Sequence, residues 1–241
     1  MTNPRILFWY RKDLRINDNN SLNQSFTISR SITSIYIFDK NYQLDFNAKS
    51  RAWFLGISLK ELSEDWKKKG SRLLFEKGDP IILIPHIAKI INAEYVAWNK
   101  SIEPYEIKRD KKIKEILQNS NIKVIESWDN LLLNPSQIST GNDKPYSVYG
   151  PFYKKLKSKE NLISSQYKED LTINKKLYDL QQEYLDIIEA NLSDKRLDNF
   201  INNNNFSGEN ICPCKPGEKG ANNLLEQFVS SKKIFSYDTR R

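Results

Sequence analysis

Opposite charges cluster directly after the first apolar run of the chain. The run, residues 5–10, is short, aromatic and β-branched, which is typical of a strand buried on both faces of a parallel sheet. Arg11, Asp13, Arg15 and Asp18 follow it. In a doubly wound sheet these side chains lie beyond the carboxyl end of the strand, where such sheets bind ligands. The alternative is a solvated loop whose charges pair with one another, and this stretch alone leaves both interpretations open.

The residues that build metal centres and nucleophilic sites are scarce. Cys212 and Cys214 are the only cysteines, and His86 is the only histidine. A structural zinc site needs four ligands of these types, and a nucleophilic serine or cysteine needs a nearby base. The sequence therefore predicts no metal site, and it predicts that any catalysis uses the chemistry of a bound cofactor.

The charge balance favours polyanionic partners. Lys and Arg number 38 against 30 Asp and Glu, which gives a net charge of +8 over 241 residues. Such an excess is compatible with nucleic-acid binding and also with simple solubility. The chain has no apolar run long enough to span a bilayer and no signal-peptide pattern at its start. We expect a globular, cytoplasmic protein with no membrane partner.

Four further apolar runs alternate with helical patterns, as βαβ units do. They cover residues 34–38, 72–75, 95–98 and 123–125. Each run stops at polar residues, so parallel strands would bring one set of side chains to a common rim: Arg11, Asp39, Asp79, Asn99 and Asp129. The predicted fold is α/β, with a five-stranded parallel, doubly wound, Rossmann-like sheet whose rim is the ligand-binding edge.

The helices between these strands have clear limits in the sequence. Residues 47–69 carry an apolar stripe at three- and four-residue steps, and Gly70 follows them. Trp53 and Trp66 lie on the stripe and are predicted to be core residues. Pro80 and Pro104 open the next two helices, because proline is tolerated at a first helical position. The second of these is predicted to end at residue 119.

The pattern changes after residue 133. Residues 134–144 are rich in Pro, Ser, Thr, Gly and Asn, which marks a domain edge. Residues 145–154 then place four aromatic side chains close together. They either pack into a groove between domains or stack on a ligand or DNA, and the sequence leaves both open. Residues 155–205 are typical of a linker with short helices. Residues 221–229 have helical spacing and predict a final helix, which is expected to be either a docking element or part of a chain that lacks its continuation.

Five blocks of sequence, taken together, resemble the DNA photolyase and cryptochrome family. The similarity is strongest to the cyanobacterial-type cyclobutane pyrimidine dimer photolyases. The blocks are residues 8–15 with Asp18 and Asn19; 72–74 with 78–80; 98–99 with 102–105 and 109–110; 145–152; and 216–218 with Ala221, Leu225, Phe228, Tyr237 and Arg241. The resemblance covers nearly the whole chain and thins between residues 155 and 210.

The resemblance implies a division of the chain into three parts. Residues 1–133 would form the α/β antenna domain, residues 134–210 an interdomain linker with short helices, and residues 211–241 the start of an all-α FAD-binding domain. A complete member repairs pyrimidine dimers with light: an antenna pigment passes excitation to FAD, which exchanges an electron with a dimer flipped out of the DNA.

The resemblance also nominates site residues. Tyr237 matches a tyrosine that lies against FAD, and Arg241 matches an arginine that contacts DNA phosphate. The antenna residues carried over are Arg11, Asp39, Arg51, Asn99, Glu103 and Glu106, of which Glu106 matches a glutamate that holds a folate antenna. Ser101 stands where deazaflavin-binding relatives often have an acidic residue. The pigment is therefore left open among 8-hydroxydeazaflavin, folate and FMN.

Two functions follow from these observations. The leading hypothesis is the N-terminal, antenna-binding part of a deoxyribodipyrimidine photolyase, which should not repair DNA alone because most of the FAD-binding domain is absent from the sequence. The alternative is a non-catalytic pigment- or nucleotide-binding module, or a cryptochrome-like photoreceptor fragment, that pairs with a separate helical subunit. An unrelated nucleotide-binding α/β protein is disfavoured, since no Gly-rich loop follows the first strand.

Overall fold

The structure is a computed structural model of the chain. It describes residues 3–39, 49–142, 144–159, 176–188, 190–204, 214–232 and residue 235.

A five-stranded parallel sheet lies at the centre of the molecule. Its strands are β1 (Ile6–Tyr10), β2 (Ile32–Asp39), β3 (Leu73–Gly78), β4 (Tyr95–Asn99) and β5 (Lys123–Ser127). The spatial order is β3-β2-β1-β4-β5, and every neighbouring pair is parallel. The strand order therefore reverses between β1 and β4, as it does in a doubly wound sheet. The predicted fold class is confirmed.

Helices connect the strands and continue after the sheet. They are α1 (Asn20–Ile28), α2 (Lys49–Lys69), α3 (Pro80–Ile90), α4 (Pro104–Asn119), α5 (Tyr149–Lys157), α6 (Gln182–Ile187), α7 (Ala190–Asn203) and α8 (Glu218–Ser230). A short 3₁₀ turn spans Pro135–Gln137. The prolines predicted to open α3 and α4 stand at their first positions. None of the described helices is both long enough and apolar enough to cross a membrane.

Two apolar layers cover the sheet, one on each face. Because side chains alternate along a strand, Leu7 and Trp9 of β1 face the layer that includes α3 and α4, while Phe8 and Tyr10 face α1 and α2. Trp66 is fully buried in the second layer and donates a hydrogen bond from Nε1 to the Tyr10 hydroxyl at 3.1 Å. The core prediction is confirmed for Trp66. It is wrong for Trp53, which is half-buried and lines a cavity described below.

Strand β3 is longer than the sequence pattern predicts. The apolar run ends at residue 75, but the strand continues to Gly78 because its backbone remains paired with residues 37–39 of β2. Backbone pairing does not depend on side-chain polarity, so the polar residues Glu76 and Lys77 extend the strand. Asp79 follows the end of β3 directly and so stands at the carboxyl rim, as predicted. Its side chain caps α3 by accepting a hydrogen bond from the Ile81 backbone N–H at 2.8 Å.

Helix α7 covers the open edge of β3. The Ser193 hydroxyl accepts a hydrogen bond from the Phe75 backbone N–H at 2.5 Å, and Arg196 bonds the Phe75 carbonyl and pairs with Glu76 at 2.8 Å. An uncovered edge strand would leave these backbone groups free to pair with another chain. Part of the segment predicted as a linker therefore packs on the α/β unit.

Candidate functional site

The loop after β1 enters the crevice where the strand order reverses. The Asn99 side chain, at the end of β4, donates hydrogen bonds from Nδ2 to Asp13 and to Asn19, and its Oδ1 accepts from the Ser21 backbone N–H at 3.0 Å. Asn19 in turn caps α1 by accepting from the Leu22 backbone N–H at 3.2 Å. Asn99 is thus buried and committed to holding the loop and the start of α1 in place.

Asp129 makes a second connection between the rim and the start of α1. One carboxylate oxygen accepts a hydrogen bond from the Asn20 backbone N–H at 2.9 Å, and the other lies 2.9 Å from the Arg15 guanidinium. Burial raises the pKa of Asp129, and the Asn20 N–H and the Arg15 charge offset this only in part. The rim residues Asn99 and Asp129 therefore fix the crevice rather than line a cavity beside it.

A chain of ion pairs crosses the rim above Trp9. Arg11 pairs with Asp110 at 2.5 Å, Asp110 pairs with Arg109 at 3.0 Å, and Arg109 lies 3.4 Å from Asp39. The Arg109 and Arg11 guanidinium carbons lie 4.6 and 5.2 Å from the centre of the Trp9 ring. All four charged side chains are largely buried, and each has a partner of opposite charge, as buried charges require.

Glu106 adds a buried carboxylate beside this chain of ion pairs. The residue is only 3% exposed, and its Oε1 lies 3.5 Å from the Lys12 ammonium, which also pairs with Glu103. Burial alone would raise the pKa of Glu106. A hydrogen bond with Ser101 and the charges of Arg11, Lys12 and Arg109 outweigh burial, and the net effect is a pKa below the usual value for glutamate. The carboxylate is therefore ionised at neutral pH.

Several of these charged groups line a cavity of about 360 Å³ at the carboxyl ends of β1 and β2. The polar lining comprises Arg11, Lys12, Asp39, Glu106 and Arg109, and the remaining lining includes Tyr36, Phe38, Leu14 and Leu55. A cavity of this size, apolar over most of its wall and with a few converging polar groups, fits the general form of a small-molecule site, which spans roughly 300–1,000 Å³.

Arg51 lies in a neighbouring cavity of about 930 Å³. This cavity is bounded by the loop after β1, the start of α2 and the start of α8, and it shares the lining residues Lys12, Leu14 and Leu55 with the smaller cavity. Glu218, at the start of α8, lines this cavity. Its carboxylate accepts hydrogen bonds from the backbone N–H groups of Ile16 at 2.9 Å and Asn17 at 3.2 Å. Helix α8 is therefore attached to the loop after β1.

The nominated residues thus divide into groups. Arg11, Asp39 and Glu106 line the smaller cavity, and Arg51 lines the larger one. Asn99 and Glu103 line neither cavity, and Tyr237 and Arg241 lie outside the described residues. Within the described part of the chain no group of three His, Cys, Asp or Glu side chains could hold a metal ion.

Sequence reasoning did not nominate Arg109 or Tyr36 for the site. Arg109 lies three residues after Glu106 on α4, and this spacing puts both on one helical face. The spacing from the nominated Glu106 could therefore have indicated Arg109. Tyr36 carries no charge, and an aromatic residue within a strand is indistinguishable by type from a core residue. Only the tertiary structure shows that its ring borders the cavity.

Comparison with known proteins decides the family. The protein-family model for DNA photolyase matches residues 6–170, well over half of the chain. The chain belongs to the DNA photolyase family. Both photolyases and cryptochromes are among its relatives. The deoxyribodipyrimidine photo-lyase of Synechococcus sp. is 35% identical over 237 residues, which cover 98% of this chain and 47% of that protein. The chain thus spans about half the length of that relative.

Solved photolyase structures share the fold. A bacterial class III photolyase from Agrobacterium tumefaciens is 29% identical, with a TM-score of 0.59 over 65% of this chain and 32% of that one. An archaeal photolyase from Sulfolobus tokodaii, solved with two FAD molecules, is 22% identical, with a TM-score of 0.63 over 82% of this chain and 41% of that one. The second likeness bears on the fold alone.

Proposed function

We propose that the chain is the antenna-pigment-binding part of a deoxyribodipyrimidine photolyase, which in its complete form repairs pyrimidine dimers with light and FAD. The observation that carries the proposal is the cavity of about 360 Å³ at the carboxyl rim, with an ionised carboxylate on one side and aromatic residues on another. Membership of the DNA photolyase family supports the reaction class.

The lining of the smaller cavity fits a flat heteroaromatic pigment. Tyr36, Phe38 and Leu55 offer apolar surface to its rings, while Glu106, Asp39 and Arg109 can meet a hydrogen-bonding edge. A bound pigment would supply light absorption and pass excitation to a flavin. The work of these side chains is to hold the ring system in one orientation and to exclude water from it.

Among the three pigments, we favour a folate. The ionised Glu106 carboxylate can only accept hydrogen bonds. A pterin edge offers two adjacent N–H donors, whereas a deazaflavin or FMN edge offers one N–H between two carbonyl oxygens, which a carboxylate would repel. The resemblance of Glu106 to the folate-binding glutamate of other members supports the same choice. The remaining nominations, Arg51, Asn99 and Glu103, do not line this cavity, and in this proposal they do not contact the pigment.

FAD and DNA belong to the complete protein in this proposal. Tyr237 would lie against FAD and Arg241 would contact DNA, with residues 1–133, 134–210 and 211–241 as antenna domain, linker and start of the FAD-binding domain. We expect the chain alone to lack repair activity. Incubation with FAD and a dimer-containing oligonucleotide under blue light tests this expectation, and robust repair by these 241 residues would contradict it.

The exposed face of α8 favours a second possibility, a pigment-binding module that pairs with a separate helical subunit. Leu225 is 61% exposed, and Leu224 and Val229 are exposed beside it. Exposed apolar patches of this kind usually mark contact surfaces. Sedimentation of the chain with an FAD-domain polypeptide from the Synechococcus relative distinguishes the two: a stable complex favours the module, and no complex favours a function within one polypeptide.

Titration of the purified chain with 5,10-methenyltetrahydrofolate, 8-hydroxydeazaflavin and FMN tests the antenna function. We expect one folate per chain. Glu106→Gln should weaken binding by roughly 10–100-fold, because hydrogen bonds to charged groups contribute about 1.5–3 kcal/mol. Glu103→Gln is the matched control, since Glu103 pairs with the same lysine but does not line the cavity, and it should bind normally. Failure of all three pigments to bind would overturn the proposal.

A further inference from the structure

The aromatic segment before and within α5 has an outer surface that the antenna site does not use. Residues 144–159 contain five lysines and no acidic residue. The lysines are Lys144, Lys154, Lys155, Lys157 and Lys159. Throughout the described part of the chain, no carboxylate pairs with any of them, whereas lysines on α2 and α4 do have such partners. Among the described residues, therefore, no carboxylate offsets the positive charge of this segment.

Helix α5 has an inner and an outer face. Phe152 and Leu156 lie on the inner face and line an apolar cavity of about 830 Å³ together with side chains of residues 130–139. Tyr149 and Tyr153 lie on the outer face and are 73% and 48% exposed. Large aromatic side chains normally bury most of their surface, so two exposed rings on one short helix are unusual.

The two outer rings and two of the lysines form one continuous strip. Tyr149 and Tyr153 are four residues apart and stack with ring centres 5.8 Å apart and an angle of 20° between their planes. Lys157 continues the same row one turn later, and Lys154 lies beside it. Stacked aromatic faces flanked by cations are the combination that binds single-stranded nucleic acid, since rings stack on bases and lysines contact phosphates.

We propose that the outer face of α5 binds single-stranded DNA, with Tyr149 and Tyr153 stacking on bases and Lys154 and Lys157 contacting the phosphate backbone. The choice of DNA among polyanions rests on the proposed function, because a repair enzyme that flips a dimer out of the helix leaves locally unpaired strand beside it. The surface itself follows from exposure, charge and ring geometry.

Fluorescence anisotropy with a labelled 16-nucleotide oligothymidylate tests the surface on the full chain. Removing two phosphate contacts in Lys154→Gln/Lys157→Gln should weaken binding and lower the slope of log affinity against log salt by about 1.4. Tyr149→Ala/Tyr153→Ala should weaken binding about fivefold or more through lost stacking. Lys154→Arg/Lys157→Arg and Tyr149→Phe/Tyr153→Phe keep charge and rings and should bind normally, which separates lost contacts from misfolding.

A charge-matched control distinguishes a site from general attraction. Lys111→Gln/Lys112→Gln removes the same charge from exposed positions of α4 and should change binding little. Three results would each contradict the proposed DNA-binding surface. They are an equal loss of affinity in the two lysine-to-glutamine variants, unchanged affinity in the double tyrosine-to-alanine variant, and no binding by the parent chain. Folate titration of the same samples tests the antenna site separately. Folate binding without DNA binding would contradict only the proposed DNA-binding surface. DNA binding without folate binding would contradict only the proposed function.

Discussion

At the scale of single residues, the rim contains two kinds of polar side chain. Asn99 and Asp129 hydrogen-bond to the backbone at the start of α1 and hold the crevice together. Arg11, Asp39 and Glu106 line the cavity and neutralise one another's charges or those of nearby partners. Loss of a residue of the first kind should cost stability only, whereas loss of one of the second kind should also cost ligand affinity.

Asn99→Ala should lower the free energy of unfolding by about 1–3 kcal/mol, because it leaves the buried Ser21 backbone N–H without its partner and removes one of the hydrogen bonds to Asp13. Urea unfolding followed by circular dichroism measures the change. Asn223→Ala, at an exposed position on α8, is the control and should have little effect. A similar stability for the two variants would show that the Asn99 amide does not hold the loop.

Glu106 gives a pH-dependent prediction. Its folded-state pKa lies below the ordinary 4.5, so the ionised carboxylate stabilises the fold above that pH, and the contribution is lost as the pH falls through the folded-state pKa. The stability of the parent chain relative to Glu106→Gln should therefore decrease between about pH 7 and about pH 4. Urea unfolding at both values measures the difference. An increase on acidification would contradict the charge environment described here.

At the scale of secondary-structure elements, the attachment of α8 to the loop after β1 connects the two cavities with the C-terminal part of the chain. Glu218 accepts two backbone hydrogen bonds from that loop, and the Gly217 N–H donates to the Ser58 hydroxyl on α2 at 3.1 Å. A single carboxylate therefore fixes both the loop that borders the smaller cavity and the first turn of α8.

Glu218→Ala should release this attachment. Loss of the two hydrogen bonds should speed hydrogen exchange at the Ile16 and Asn17 amides by about 10–100-fold, because local opening would become easier by roughly 1–3 kcal/mol. Exchange measured by NMR resolves these amides. Glu226→Ala, on the exposed side of the same helix, should leave them unchanged. Equal exchange rates in both variants would show that Glu218 does not secure the loop.

Most of the sheet was predictable from the sequence, because each strand is an apolar run between polar residues. The end of β3 was not, since its last residues are polar and are held by backbone pairing with β2. The inward orientation of Asn99 was also missed. It depends on the start of α1, which reaches the crevice only in the tertiary structure. Arg11 and Asp39 were correctly expected near the rim because each stands at a strand end, whereas Glu106, on a helix, was nominated only through the family resemblance.

At the scale of the whole molecule, three surfaces have separate tasks in this account. We propose that the carboxyl rim binds a pigment, that the apolar face of α8 contacts the helical FAD-binding part, and that the outer face of α5 contacts DNA. The proposed function rests on the first surface, and the other two can be tested independently of it. The cavity on the rim is therefore the feature to test.

The most direct test fills that cavity. 5,10-Methenyltetrahydrofolate is chiral and has circular dichroism of its own, so the measurement is the change in that signal on binding, which should saturate at one pigment per chain. Leu55→Trp replaces an aliphatic side chain in the cavity wall with a bulky ring and should abolish the change in signal. Leu132→Trp, at an exposed position outside this cavity, should leave the change intact. Saturable binding that survives Leu55→Trp would contradict the assignment of the antenna site to this cavity.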